Sequence, residues 1–236
     1  MKTKFITKEA KCPDCGEPLQ ETIYSQINVT ENPELKEEII KGTILYSECP
    51  KCGGEQMNGN DGFIYVDEEK KLEIIYGNAA TKESISKAIN DRDSKGITAI
   101  GCPYYSDMVT NIVAIDNNLD WRVTQMALLG VEHVFTKIKN DEDGSVIFPN
   151  YSFLTGDRED HGELVVLIGY GGKDDMKMAC LSLPKDVYQY CYDQYKEILD
   201  YLNPIKFDRK SRDEFCEYYD FIHERYNQKK GGKKDA

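Results

Sequence analysis

The amino-acid sequence predicts an α+β fold. A four-cysteine metal ribbon with an inserted helix comes first, followed by a helical segment and a small antiparallel sheet with C-terminal helices. Two CPxCG turns, at residues 12–16 and 49–53, predict the ribbon. Two apolar runs, residues 163–170 and 176–183, flank a GGKDD turn and predict a hairpin. Apolar residues recurring every three or four positions predict the helices.

The two CPxCG turns have the composition of a metal-binding knuckle. Two cysteines three positions apart reach one ion from a tight turn, and proline stiffens that turn. Glycine after the second cysteine permits a positive φ. Four thiolates complete a tetrahedral site and leave no open position for catalysis, so we predict one structural zinc ion. Two disulfides and two unrelated reduced pairs are the alternatives. The predicted ligands are Cys12, Cys15, Cys49 and Cys52.

The 33 residues between the two cysteine pairs exceed the usual ribbon spacing of about 15–20. Residues 22–30 and 43–47 are predicted strands. Between them, Asn32 is a predicted N-cap, Pro33 opens a helix and Gly42 ends it. The long gap is also similar to that of rubredoxins, which hold iron for electron transfer. Cysteine spacing alone does not choose between zinc and iron.

Several segments resemble the CpXC domain family. They are CPDCG, residues 27–42 (INVTENPELKEEIIKG), CPKCG, the hairpin at residues 62–77 and residues 112–129 (IVAIDNNLDWRVTQMALL). In the last segment Asn118 replaces a family glycine and Trp121 an aspartate. The resemblance covers about residues 10–138. It implies a zinc-ribbon-like module of bacteria and archaea that has no assigned activity, and therefore a metal and an architecture rather than a reaction.

Charge excludes nucleic acid as the expected partner. The chain has a formal net charge of −12, and residues 1–76 contain 9 lysines, no arginine and 15 acids. Phosphate backbones bind mainly to Lys and Arg, so we expect a protein partner instead. The basic tail within residues 206–236 is expected to be solvated. Without a signal peptide or a long apolar run, we expect no membrane contact and a cytoplasmic location.

The remaining segments give the predicted organisation. Its divisions are a ribbon module at residues 1–78, its helical continuation at 79–140, a β/α part at 141–205 and a C-terminal helix with the basic tail at 206–236. Helices are predicted at residues 81–94, 119–139, 184–202 and 210–228, a short strand at 97–100 and a turn at 140–145. Asn118 or Asp120 caps the second of these helices, and Arg122 pairs with Asp116 or Asp120.

Other reactive residues form no complete catalytic set. Cys102, Cys180, Cys191 and Cys216 are expected to be small buried hydrophobic residues, with Cys102 opening a turn at Pro103. His133 and His223 lie in predicted helices. His161 lies beside Asp157, Glu159 and Asp160, a combination that can bind metal or transfer protons. A solvated loop is the favoured interpretation, and an enzyme with its site in the C-terminal half remains an alternative.

Overall fold

The computed structural model describes residues 1–77, 96–128, 131–132, 135, 149–158, 163–172 and 175–199. The chain divides into two compact units, Met1–Met108 and Val109–Ala236. Helices and antiparallel strands both contribute, which confirms the predicted α+β class. The predicted helices at 81–94 and 210–228, the turn at 140–145, all three histidines and Cys216 lie outside the described residues.

The N-terminal unit contains a five-stranded mixed sheet in the order β1-β2-β5-β6-β7. Strand β1 pairs antiparallel with β2, β2 parallel with β5, β5 antiparallel with β6, and β6 parallel with β7. The strands are β1 (Lys4–Lys11), β2 (Pro18–Asn28), β5 (Ile64–Asp67), β6 (Leu72–Tyr76) and β7 (Thr98–Cys102).

The segment between the knuckles closely follows its sequence signals. Helix α1 (Pro33–Lys41) begins after Asn32 and ends at Gly42, which has a φ of 78°. Asn32 makes no side-chain capping bond, because its amide contacts Thr3 and Glu34 instead. A 3₁₀ turn occupies Thr43–Leu45, so the predicted strand at residues 43–47 is wrong in its first half. Strands β3 (Tyr46–Glu48) and β4 (Glu55–Met57) then form a two-stranded antiparallel ribbon.

Helix α1 and the mixed sheet both contribute buried apolar side chains to the core of the N-terminal unit. Leu35 and Ile39, the predicted apolar face of α1, are both buried. Phe63, Tyr76 and Tyr105 form a chain of edge-to-face rings with centroids 5.2 and 5.3 Å apart. The Tyr105 hydroxyl donates to the Ile39 carbonyl at 2.5 Å, which ties the start of α2 (Tyr105–Asp116) to the end of α1.

The C-terminal unit contains a three-stranded antiparallel sheet in the order β10-β9-β8. The strands are β8 (Pro149–Arg158), β9 (Glu163–Gly172) and β10 (Asp175–Pro184), and the predicted hairpin of β9 with β10 is confirmed. Helix α3 at residues 121–128 begins directly after Asp120, and α4 (Lys185–Leu199) falls within the predicted helix at 184–202. Leu164, Val166 and Ile168 on β9 are buried in this unit's core.

Candidate metal centre

The two knuckles fold into the same turn. In the first, the Gly16 N–H donates to the Cys12 carbonyl and the Cys12 N–H donates to the Glu17 carbonyl, both at 2.9 Å. In the second, Gly53, Cys49 and Gly54 repeat both bonds at 2.9 Å. The two glycines have φ values of 72° and 69°. Proline and glycine at matching positions thus give two equivalent turns, each of which positions two cysteine sulfurs.

The turns bring the four predicted ligands together. All four Sγ atoms lie within 4.8 Å of one another, and the closest pairs cross between knuckles. Cys12 Sγ lies 3.6 Å from Cys52 Sγ, and Cys15 Sγ lies 3.6 Å from Cys49 Sγ. A tetrahedron with metal–sulfur bonds of about 2.3 Å has edges of about 3.8 Å. The spacing therefore fits a single tetrahedral ion, and none of the four cysteines forms a disulfide.

The site has a buried side and an exposed side. Cys12 and Cys49, the first cysteine of each knuckle, are 3% and 1% exposed and pack with Leu19. Cys15 and Cys52, the second cysteine of each knuckle, are exposed. An ion bound by all four sulfurs would thereby have two ligands in the protein interior and two on its solvent-exposed side.

Backbone amides point at the sulfurs. The sulfur of Cys15 accepts a hydrogen bond from the Glu17 amide, and the sulfur of Cys52 accepts one from the Gly54 amide. These two bonds are again equivalent between the knuckles. Amide donors stabilise the negative charge of a thiolate, which is the form that binds metal.

The thiol pKa values reflect this crowding of sulfurs. Hydrogen bonds from the Cys52 and Lys51 amides lower the pKa of Cys49 to about 7. At Cys15 the Glu17 amide also lowers the pKa, but desolvation and the three neighbouring thiols outweigh it and raise the pKa to about 12. The thiolate of Cys49 therefore forms readily, whereas ionisation of Cys15 beside it is unfavourable. A divalent cation removes that conflict, since its charge replaces the protons.

Two further contacts link the knuckles in matching positions. Lys51, the variable residue of the second knuckle, donates to Glu17 at 2.9 Å. Asp14, the variable residue of the first knuckle, lies against Gly54, where an added Cβ would come 2.5 Å from Asp14 Oδ2. Leu19, Glu17 and Lys51 were not predicted from the sequence to be parts of the site. The opposite charges of Asp14 and Lys51, at equivalent positions of the two CPxCG turns, were the sequence feature that could have indicated contacts between the knuckles.

The other cysteines in the described residues differ from one another in burial. Cys102 is fully buried, as expected, and it ends strand β7, where its backbone pairs with Tyr76 of β6 and a bend follows at residues 103–104. Cys180 is exposed on β10, where β10 is an edge strand, so the prediction of burial is wrong there. Cys191 on α4 is half-buried, and desolvation raises its pKa.

Some of the other polar residues singled out from the sequence lie in described elements, and others lie outside the described residues. Arg122 pairs with Asp120, one of its two predicted partners, at 2.6 Å. Asp157 lies on β8, opposite Leu164 of β9, so it is part of a strand and not of a loop. His161, Glu159 and Asp160 lie outside the described residues, and the structure therefore assigns no arrangement to that group.

Comparisons with known proteins support the metal ribbon. Residues 10–125 match the family model described as CpXC protein, ending somewhat before the expected limit near residue 138. No curated protein and no solved structure matches the chain. None of the helices in the described residues combines the length and apolar character needed to span a membrane. The match, the two equivalent knuckles and the four converging sulfurs agree. Residues 10–125 of this chain form a domain of the CpXC family.

Proposed function

We propose that this protein is a non-catalytic zinc-ribbon protein that acts by presenting a surface to a protein partner. The observation that supports the proposal best is the convergence of four sulfurs from two equivalent turns. In this proposal Cys12, Cys15, Cys49 and Cys52 ligate one zinc ion. Such a site has no open position, so the ion has a structural role and activates no water.

The size of the ribbon explains why a structural ion is needed. Strands β3 and β4 have three residues each, and an isolated two-stranded ribbon is marginally stable at best. Few side chains pack around the site, with Leu19 joining Cys12 and Cys49 in one small cluster. Metal binding to four thiolates contributes its binding free energy to folding. We therefore expect the ribbon to depend on the ion for its stability.

Metal analysis with a paired variant tests the proposal. The purified protein is expected to contain one zinc per chain by mass spectrometry of the elements. Cys49→Ser is expected to lose the zinc and to lower the melting temperature, because Cys49 is a buried ligand. Cys180→Ser is the matched control, since Cys180 is exposed on a strand of the other unit. Unchanged zinc content and melting in Cys49→Ser would refute zinc ligation.

The same four sulfurs fit iron equally well, so an electron carrier is the second candidate. It predicts a coloured protein with one iron per chain when purified from its native host. A colourless protein with one zinc excludes it there.

The proposed interaction with a protein partner is tested by a separate experiment. The tagged protein is recovered from native extract, with nuclease treatment as a control, and bound proteins are identified by mass spectrometry. One stoichiometric protein that survives nuclease is the expected result. A partner lost on nuclease treatment, or none at all, would count against an adaptor and would move attention to the C-terminal unit.

A further inference from the structure

The outward side of the β3–β4 ribbon is a mixed acidic and apolar surface. Tyr46 pairs with Met57 and Glu48 pairs with Glu55, and all four are exposed. The intervening pair, Ser47 and Gln56, faces the other way, since the Gln56 amide donates to the carboxylate of the buried Glu21 on β2. We call the surface of Tyr46, Glu48, Glu55 and Met57 the acidic ribbon face.

Two glutamates stand directly opposite each other on this face. Like charges in cross-strand positions destabilise a sheet, because their Cβ atoms are about 5 Å apart. The nearest knuckle lysine, Lys51, is engaged by Glu17. Within the part of the chain that the structure describes, neither Glu48 nor Glu55 forms an ion pair. A guanidinium or ammonium group from outside, placed between the two carboxylates, would convert this repulsion into attraction.

An apolar pair lies next to the acids. Met57 is 70% exposed and Tyr46 is 45% exposed, although both are large apolar side chains that gain free energy on leaving water. Successive residues on one side of a strand are about 6.7 Å apart. The face therefore offers a carboxylate pair and an apolar pair separated by the distance between positions i and i+2 of an extended chain.

We propose that the acidic ribbon face docks an extended, basic segment of a partner protein that carries Arg or Lys two positions from a large apolar residue. The basic side chain lies between Glu48 and Glu55, and the apolar side chain covers Tyr46 and Met57. The inference deepens the proposed function by naming the surface and the chemistry of the partner. It depends on the metal, because the second knuckle begins at Cys49, directly after β3.

Charge favours this occupant over two others. Nucleic acid is repelled by the glutamates. A second copy of the chain brings another net charge of −12, which opposes association. A basic segment is attracted both by the pair Glu48 and Glu55 and by the net negative charge of the chain. Its association rate is expected to fall as added salt screens that charge.

Selection from a random peptide library displayed on phage tests the proposal. The bait is the zinc-loaded full chain, and the comparison bait is the double variant Glu48→Lys/Glu55→Lys. Glu31→Lys/Glu38→Lys is the matched control, because it makes the same charge change at exposed positions near α1. Zinc content and melting temperature are measured for every bait, which separates loss of the surface from loss of the metal site.

We expect enriched peptides to carry Arg or Lys two positions from a large apolar residue. Their affinity is expected to fall by about tenfold or more on Glu48→Lys/Glu55→Lys and on Met57→Ser, and to change by less than about threefold on the control. Three outcomes overturn the inference: no enrichment, enrichment without this pattern, or equal binding to the double variant. A chain that self-associates in light scattering through the same two glutamates also overturns it. A bait with full zinc and no enriched peptide refutes the docking surface while leaving the metal proposal intact.

Discussion

Two glycines of the N-terminal unit have nearly the same backbone conformation but different surroundings. Gly42 ends α1 with a φ of 78°, and a Cβ there would meet nothing within 4 Å. Gly77 follows β6 with a φ of 68°, and a Cβ there would overlap the carbonyl group of Asp61. The left-handed conformation costs an L residue about 1–2 kcal/mol in both places. Only at Gly77 is there a steric cost in addition, because backbone atoms have little freedom to move away.

This difference predicts unequal effects of the same substitution. Gly42→Ala is expected to reduce the free energy of unfolding by about 1 kcal/mol. Gly77→Ala is expected to reduce it by about 3 kcal/mol or more, since the backbone at Asp61 and Gly62 must shift. Urea unfolding followed by far-ultraviolet circular dichroism measures both. Equal losses in the two variants would contradict the predicted overlap with Asp61.

Asn118 has a backbone conformation that suits glycine, the residue that the family resemblance leads one to expect here. Asn118 has a φ of 56°, in the left-handed region where glycine is unstrained and asparagine is the best-tolerated alternative among ordinary residues. Asn118→Gly is therefore expected to change the free energy of unfolding by less than about 0.5 kcal/mol, and Asn118→Ala to reduce it by about 1 kcal/mol. The fluorescence of Trp121, the only tryptophan, reports unfolding at this place. A larger loss for glycine than for alanine would refute the argument.

At the scale of the element, the start of α3 is built around Asp120. Its carboxylate accepts hydrogen bonds from the backbone N–H and the guanidinium of Arg122, both at 2.9 Å. The Asp120 N–H donates to the Tyr188 hydroxyl on α4 at 2.7 Å. Burial raises the pKa of Asp120, but Arg122 outweighs that effect and holds the pKa below its usual value. The ionised carboxylate thus stabilises the folded helix start.

The sign of this shift gives a pH dependence. A lowered folded-state pKa contributes stability above the unfolded-state value near 4, and that contribution is lost as the pH falls through the folded-state pKa. Asp120→Asn keeps a good capping residue but removes the charge, so it is expected to reduce the free energy of unfolding by about 1 kcal/mol at pH 7. Near pH 3 the variant and the wild type are expected to differ less. Urea unfolding followed by Trp121 fluorescence measures both, and a pH-independent difference would argue against the ion pair.

Elements whose signals are local were predictable from the sequence, and those that depend on distant pairing were not. The knuckles and α1 follow from proline and glycine at fixed offsets, which act over a few residues. Strand β1 was not predicted, because half of its sequence KFITKEAK is charged and its structure depends on pairing with β2. The apolar run at residues 108–115 received no assignment from the sequence, because a short apolar run fits a helix or a strand, and it is helical in α2. The parallel pairings of β2 with β5 and β6 with β7 had no sequence signal at all.

At the scale of the whole molecule, the candidate ligands all belong to one of the two compact units. Cys12, Cys15, Cys49 and Cys52 lie within Met1–Met108, while the three-stranded sheet lies within Val109–Ala236. That sheet is held by ten-residue strands and a buried apolar row on β9. The β3–β4 ribbon has only three-residue strands around the sulfurs. Loss of the metal is therefore expected to destabilise the β3–β4 ribbon more than the three-stranded sheet.

Removal of the metal with a chelator, followed by hydrogen exchange, tests this expectation. The amides of the knuckles, β3 and β4 are expected to lose protection by a factor of about 100 or more, because the free energy of metal binding contributes to their folding. The amides of β9 and β10 are expected to keep theirs, since their hydrogen bonds and core involve no sulfur ligand. Return of zinc should restore the ribbon's protection. Uniform loss along the chain would mean that the two units unfold together, and no loss in the ribbon would mean that its fold does not need the ion.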